Sequence, residues 1–194
     1  QILFEYSNDI IDFQLDGKYL LQNKEDNFFI KYKGNENNYE LYTLLNLDDS
    51  DLKIDEIQYL KKKNIPSKFE VLLNKSINGF NLQKISFKEN KNYISIDNLY
   101  ISDDFKLQSV DKIDANFFNS KGVKNNFQIK KNSNNYQFIG NQIDGEKIIE
   151  KLLRSNNKTK ISNFFDNLNT SVIFELEKVY LEKDEYLKKF VGEF

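Results

Sequence analysis

Most enzymatic and metal chemistry in proteins runs through histidine, cysteine or grouped carboxylates, and this chain contains neither His nor Cys. That removes the commonest general base, the commonest transition-metal ligand and every thiolate nucleophile. Zinc hydrolysis, Ser-His-Asp acyl transfer and thiol chemistry are excluded for this segment. The absence of Cys also fits an oxidising compartment.

What remains is carboxylate chemistry. Asp48, Asp49, Asp51, Asp55 and Glu56 are spaced closely enough to suggest a Ca²⁺ loop, but the glycine and the distal glutamate of an EF-hand are missing. A solvated turn is the simpler reading, and Asp103-Asp104 reads as a hairpin turn. Asp and Glu are abundant, yet no pair stands out as the acid and base of a glycosidase. No catalytic residue, metal ligand or cofactor is assigned, and the expectation is a non-enzyme. Lys61-Lys62-Lys63 is too short for a lipid-headgroup cluster and reads as a soluble loop or a guarded sheet edge.

Charge narrows the partners. The 28 Lys and Arg against 30 Asp and Glu give a net charge of −2, with both signs interspersed. Such a chain has no basic field for nucleic acid. No apolar run approaches the roughly 20 residues that a membrane-spanning helix needs. The chain has no Met and begins with Gln1, so the expectation is one β-rich segment, 1–194, of a longer polypeptide.

The candidate chemistry therefore moves to the apolar residues and to the elements that position them. Short alternating runs separated by Asn, Asp, Gly and Ser clusters predict antiparallel strands. They include Ile11–Leu15 before an Asp16-Gly17 hairpin signal, Tyr39–Leu47, Leu52–Tyr59, Phe69–Leu73, Tyr93–Ile101, Phe105–Ile113 and Val172–Leu181. The parity slip between Phe80, Leu82 and Ile85, Phe87 predicts a bulge near Gln83-Lys84 or two strands meeting there. The class is all-β, an antiparallel meander with one short amphipathic helix near 145–154. Asp144 is a good N-cap, and Ile148, Ile149, Leu152 and Leu153 form a stripe that must dock on an apolar surface.

Alternation has two readings here. The apolar parity could be the interior of a closed β-sandwich, a structural or adhesive module of a surface protein. Or it could be an open apolar face covered by a ligand. On parity, the lining of such a face would include Ile94, Ile96, Phe105, Leu107, Phe127, Ile129, Phe138, Phe174 and Leu176.

The stretch INGFNLQKISFKENKNYISIDNLYIS, then the strand exit YQFIGNQIDG (Tyr136 to Gly145), the Ile/Leu-rich Glu146 to Arg154, the apolar alternation Val172 to Leu181 and the closing Lys188 to Phe194 together resemble the AsmA-like family, large envelope proteins of alphaproteobacteria. The resemblance covers residues 65–194. It implies a long curved antiparallel meander sheet, open as a groove with a hydrophobic inner surface, similar to bridge-like lipid transfer proteins. It further implies a periplasmic protein, anchored in the inner membrane through a part of the chain not present here. Such a protein would carry phospholipid acyl chains toward the outer membrane and could meet partner proteins at both membranes. The family has no catalytic residues to carry over.

Overall fold

The computed structural model describes residues 1–133, 135–147, 170–182 and 184–193. Its elements are β1 (Ile2–Ser7), β2 (Ile10–Leu21), β3 (Lys24–Gly34), β4 (Tyr39–Asn46), β5 (Leu52–Ile54), a 3₁₀ turn (Asp55–Ile57), β6 (Tyr59–Lys61), β7 (Ser67–Ser76), β8 (Gly79–Glu89), β9 (Asn92–Ile101), β10 (Leu107–Phe118), β11 (Lys124–Lys131), β12 (Asn135–Asp144), β13 (Ser171–Tyr180) and β14 (Tyr186–Glu193). Twelve strands form one sheet in the order β1-β2-β3-β4-β7-β8-β9-β10-β11-β12-β13-β14, and β5 pairs only with β6. The sheet is not closed into a barrel: β1 and β14 are its two edges. A second large sheet, as a sandwich requires, is not found among the described residues.

Every neighbouring pair in the long sheet is antiparallel except β12–β13, which is parallel. This corrects the expectation of a purely antiparallel meander. Antiparallel neighbours need only a tight turn, but a parallel pair needs a crossover long enough to bring the chain back to its starting side. Residues 145–170 are that connection. Its start is as expected: Asp144 Oδ1 accepts the Glu146 N–H at 3.1 Å, and residues 146 and 147 are helical. Ile148, Ile149, Leu152 and Leu153 lie outside the described residues.

Turn chemistry accounts for the hairpins. Asn8-Asp9 and Gln22-Asn23 both sit at positive φ (51 and 61°, 52 and 61°). Two-residue hairpin loops need that conformation because their twist then matches that of the strands. Asp16-Gly17 is not a turn, contrary to the sequence signal, and β2 runs straight through it. The glycine instead makes room for a ring: a Cβ on Gly17 would meet Phe28 Cε1 at 3.2 Å. The expected bulge is present. Register shifts where Leu73 pairs with Leu82 and Leu72 pairs with Lys84, leaving Gln83 unopposed.

Because paired residues share a face, the register sorts every strand into an apolar and a polar side. Three apolar rows cross the sheet. The first, nearest the end that carries β5 and β6, is aromatic-rich: Phe28, Leu45, Phe69, Phe87, Ile94, Ala115, Phe127, Gly140, Leu176, Phe190. The second is β-branched at every position from β3 to β11: Ile30, Thr43, Val71, Ile85, Ile96, Ile113, Ile129. The third is leucine-rich, with Leu41, Leu73, Leu82 and Leu99 side by side. The bulge keeps Leu82 and Ile85 on one face although they are three residues apart.

The other face is polar and laterally bonded. Lys84 lies 2.8 Å from Glu70, whose carboxyl also accepts from the Ser86 and Tyr42 hydroxyls. The Lys84 ammonium, helped by these donors, holds the Glu70 carboxyl below the usual carboxylate range. Asp114 is similarly surrounded by Tyr93, Gln128 and Lys112.

Candidate functional site: the apolar face

An ordinary sheet face of this length would be buried under a second layer. Here, the side chains of the β-branched row are only half-buried: Ile30, Val71, Ile85, Ile96, Ile113 and Ile129 all keep partial contact with solvent. So do Leu41, Leu73, Leu82 and Leu99 of the third row. β-Branched side chains are stiff at χ1, so the middle row presents a firm methyl surface that loses little rotamer entropy on contact.

The aromatic row is treated differently. The β5–β6 hairpin folds back over it and forms a cluster in which Leu47, Tyr59, Phe87, Ala115 and Phe117 are buried. Leu52, Ile54 and Ile57 of the hairpin segment pack against that cluster, as do Phe69, Ile94 and Phe127 of the sheet. Tyr59 is the wedge. It is 1% exposed, and its ring meets Phe87 and Phe117 edge-on, each at 5.5 Å between centroids. Its hydroxyl donates to Glu89, which also accepts from Asn92 at 3.2 Å.

Burial, the Glu89 hydrogen bond and the Glu89 charge all push the Tyr59 phenol up from its ordinary value. The folded state therefore holds this proton at a pH where the unfolded chain releases it. The associated stability is complete below the unfolded pKa, about 10, and is lost as pH rises above it. Urea midpoints measured between about pH 9 and pH 11 should fall for the wild type more steeply than for Tyr59→Phe. Tyr19, Tyr42 and Tyr93, also raised by burial, titrate in both proteins. Equal slopes would remove Tyr59 from this role.

The hairpin is fastened by a lysine. Lys61 is 0% exposed, and its Nζ donates to the carbonyl oxygens of Asp48 (3.1 Å), Ser50 (2.7 Å) and Lys62 (3.2 Å). Reading 61–63 as a solvated loop is thus wrong for Lys61. A charged residue in a lysine run gives no sequence sign that folding will close three carbonyls around it. The acidic stretch beside it is structural: Asp48 Oδ1 accepts from Ser67 N–H, Asp51 Oδ1 from Lys63 N–H, and Asp55 pairs with Lys53. No group of three or more carboxylates is placed to hold a metal among the described residues.

The residues expected on parity come together with one exception. Ile94, Phe127 and Leu176 lie in the aromatic row, and Ile96, Ile129, Phe138 and Phe174 in the middle row or its continuation. Leu107 pairs with Ile101 at the far end and is buried. Phe138, Leu176, Ile143 and Val179 make a second buried cluster, packed by Phe127, Ile129 and Phe174. Phe105 is the exception. It is no strand residue but a turn residue at φ 58°, 74% exposed, with its ring stacked on Phe80 at 5.6 Å. Sequence reasoning missed the open centre of the face, Val71, Ile85 and Ile113, although each belongs to an alternating run. Parity marks which residues share a face but not which of them stay uncovered.

A hollow of about 390 Å³ lies beside the hairpin, lined by Lys53, Gln58, Tyr59, Leu60 and Ser120. Two hollows of about 740 and 780 Å³ open on the polar side, one lined by Tyr93, Asp114, Gln128 and Gln137, the other by Asn74, Asn81, Tyr100 and Ser109. The apolar side offers a continuous shallow strip. No protein-family model, no curated protein and no solved structure matches this chain.

Proposed function

We propose that the apolar face solvates lipid acyl chains, and that the segment belongs to an AsmA-like bridge that conducts phospholipid through the periplasm between inner and outer membranes. The observation that carries this reading is the half-buried β-branched row running unbroken from β3 to β11 on a sheet whose other face is polar. An aliphatic strip left part-exposed costs free energy in water, and an acyl chain laid on it recovers about 0.8 kcal/mol per methylene removed from water. Many equivalent shallow contacts let a chain slide, whereas one deep pocket would hold it. The periplasmic setting, the anchor and the membrane partners rest on the family resemblance alone.

The test is mass spectrometry of lipid co-purified with the segment, followed by displacement of a fluorescent fatty acid. Ile96→Asp puts a carboxylate in the middle of the strip. Losing the contacts of about three methylenes costs about 2.4 kcal/mol, so affinity should fall more than tenfold. Lys88→Asp, an exposed change on the polar face, should leave binding unaltered. If no lipid co-purifies and the two variants bind the probe alike, the reading is wrong.

A further inference from the structure

The hairpin divides the apolar face along its length. Residues of the aromatic row (Phe69, Phe87, Ile94, Phe127) pack against the cluster beneath Tyr59, but no residue of the β-branched row does among those described. The boundary falls between Phe87 and Ile85 on β8, and between Ile94 and Ile96 on β9. On one side the Tyr59 ring covers Phe87 and Phe117; on the other, no described residue of the hairpin packs on the methyl surface.

The division is rigid. Two edge-on ring contacts, the Glu89 hydrogen bond and the caged Lys61 all hold the hairpin down. The backbone adds a further tie, since Ser120 N–H donates to the Gln58 carbonyl at 2.8 Å. A mobile flap would not carry side chains as deeply buried as Tyr59 and Lys61, which are among the most buried of the described residues.

We infer that the β5–β6 hairpin is a fixed lip that confines acyl chains to the β-branched and leucine rows, and that Tyr59 is the residue that sets the width of this track. The inference rests on the acyl-chain reading and deepens it. A track bounded by a ring wall on one side accommodates an unbranched chain lying flat across successive strands. It excludes chains bulkier than the open rows, because the space over Phe87 and Phe117 is already filled. Without the Tyr59 ring, the space over Phe87 and Phe117 opens beside the track.

The experiment uses the intact chain and a palmitic acid analogue carrying a diazirine at its terminal carbon, with adducts located by peptide mass spectrometry. In the wild type, adducts are expected on Ile85, Ile96, Leu82 and Leu99, and not on Phe87 or Ile94. In Tyr59→Ala, adducts at Phe87 and Ile94 should rise at least fivefold, while Tyr59→Phe, which keeps the ring, should retain the wild-type pattern. Adducts on Phe87 or Ile94 in the wild type, or an unchanged pattern in folded Tyr59→Ala, overturn the lip. Absence of adducts from the whole apolar face overturns the acyl-chain reading instead. Should Tyr59→Ala not fold, Ile57→Ala loosens the same contact less severely. It should show the same shift, and an unchanged pattern there overturns the lip equally.

Discussion

Phe117→Ala should lower the unfolding free energy by about 3–5 kcal/mol, whereas Phe118→Ala, one residue along the same strand, should change it by no more than about 0.5 kcal/mol. Phe117 is 2% exposed and meets Tyr59 edge-on; Phe118 is 54% exposed on the other side of the pleat. Truncating the first ring removes its transfer free energy and leaves a void between the hairpin and the sheet. Phe117 belongs to a buried cluster with Leu47, Tyr59, Phe87 and Ala115, whose close packing resists collapse into the void. A domain of this size is stable by about 5–15 kcal/mol, so the loss is a large share of the total. Urea unfolding measures it as a shift in midpoint at unchanged slope. Similar costs for the two phenylalanines would mean that the hairpin does not lie on the face assigned to it.

The second large effect is expected at Lys61. Removing its ammonium leaves the Asp48, Ser50 and Lys62 carbonyls without the donor that satisfies them in the folded state. The buried Ser50 acceptor so orphaned costs about 1–3 kcal/mol, and the part-buried Asp48 and Lys62 carbonyls, which water can reach, cost less. Lys61→Ala also removes the aliphatic stem that packs under the hairpin. A net loss of about 3–4 kcal/mol is expected for Lys61→Ala, and a smaller one for Lys61→Met, which keeps the stem. Thermal or urea denaturation of the two variants separates the contributions. If Lys61→Ala is as stable as the wild type, the carbonyl cage is not holding the hairpin. Lys62→Ala, at an exposed position in the same run, serves as the control and should be near neutral.

The two variants expose the same limit in reading this chain. Lys61 and Lys62 are indistinguishable in sequence, and so nearly are Phe117 and Phe118. Period-2 alternation assigns Phe117 and Phe118 to opposite faces, yet it cannot say which face receives the hairpin. Gly140 makes the same point. It lies within the strand exit YQFIGNQIDG; β12 runs on to Asp144, and Gly140 sits inside the aromatic row beside Phe127. A Cβ there would meet the Asn126 carbonyl oxygen at 2.6 Å, so the glycine serves close approach of two strands rather than a turn. Asp16-Gly17 failed as a hairpin signal for a related reason, because a neighbouring ring occupies the space over it.

Local composition did not reveal β1, nor that Leu52–Tyr59 is two short strands around a 3₁₀ turn rather than one strand. It was enough for most of the long strands, for the bulge at Gln83 and for the Asp144 cap. Each of these depends on a few consecutive residues: side-chain alternation, a parity slip, a carboxylate two residues before a free N–H. It was also enough to place Ile94, Ile96, Phe127, Ile129, Phe138, Phe174 and Leu176 on one face, since parity is a local property. Three things came only from the tertiary structure. The sheet stays open and has one parallel junction, because pairing partners are chosen between strands far apart in sequence. The short β5–β6 segment leaves the sheet and lies over the aromatic row, because its ring and its lysine find partners there that no neighbouring residue supplies. The β-branched row remains part-exposed, because burial depends on what crosses above a strand, and nothing in the strand itself records that.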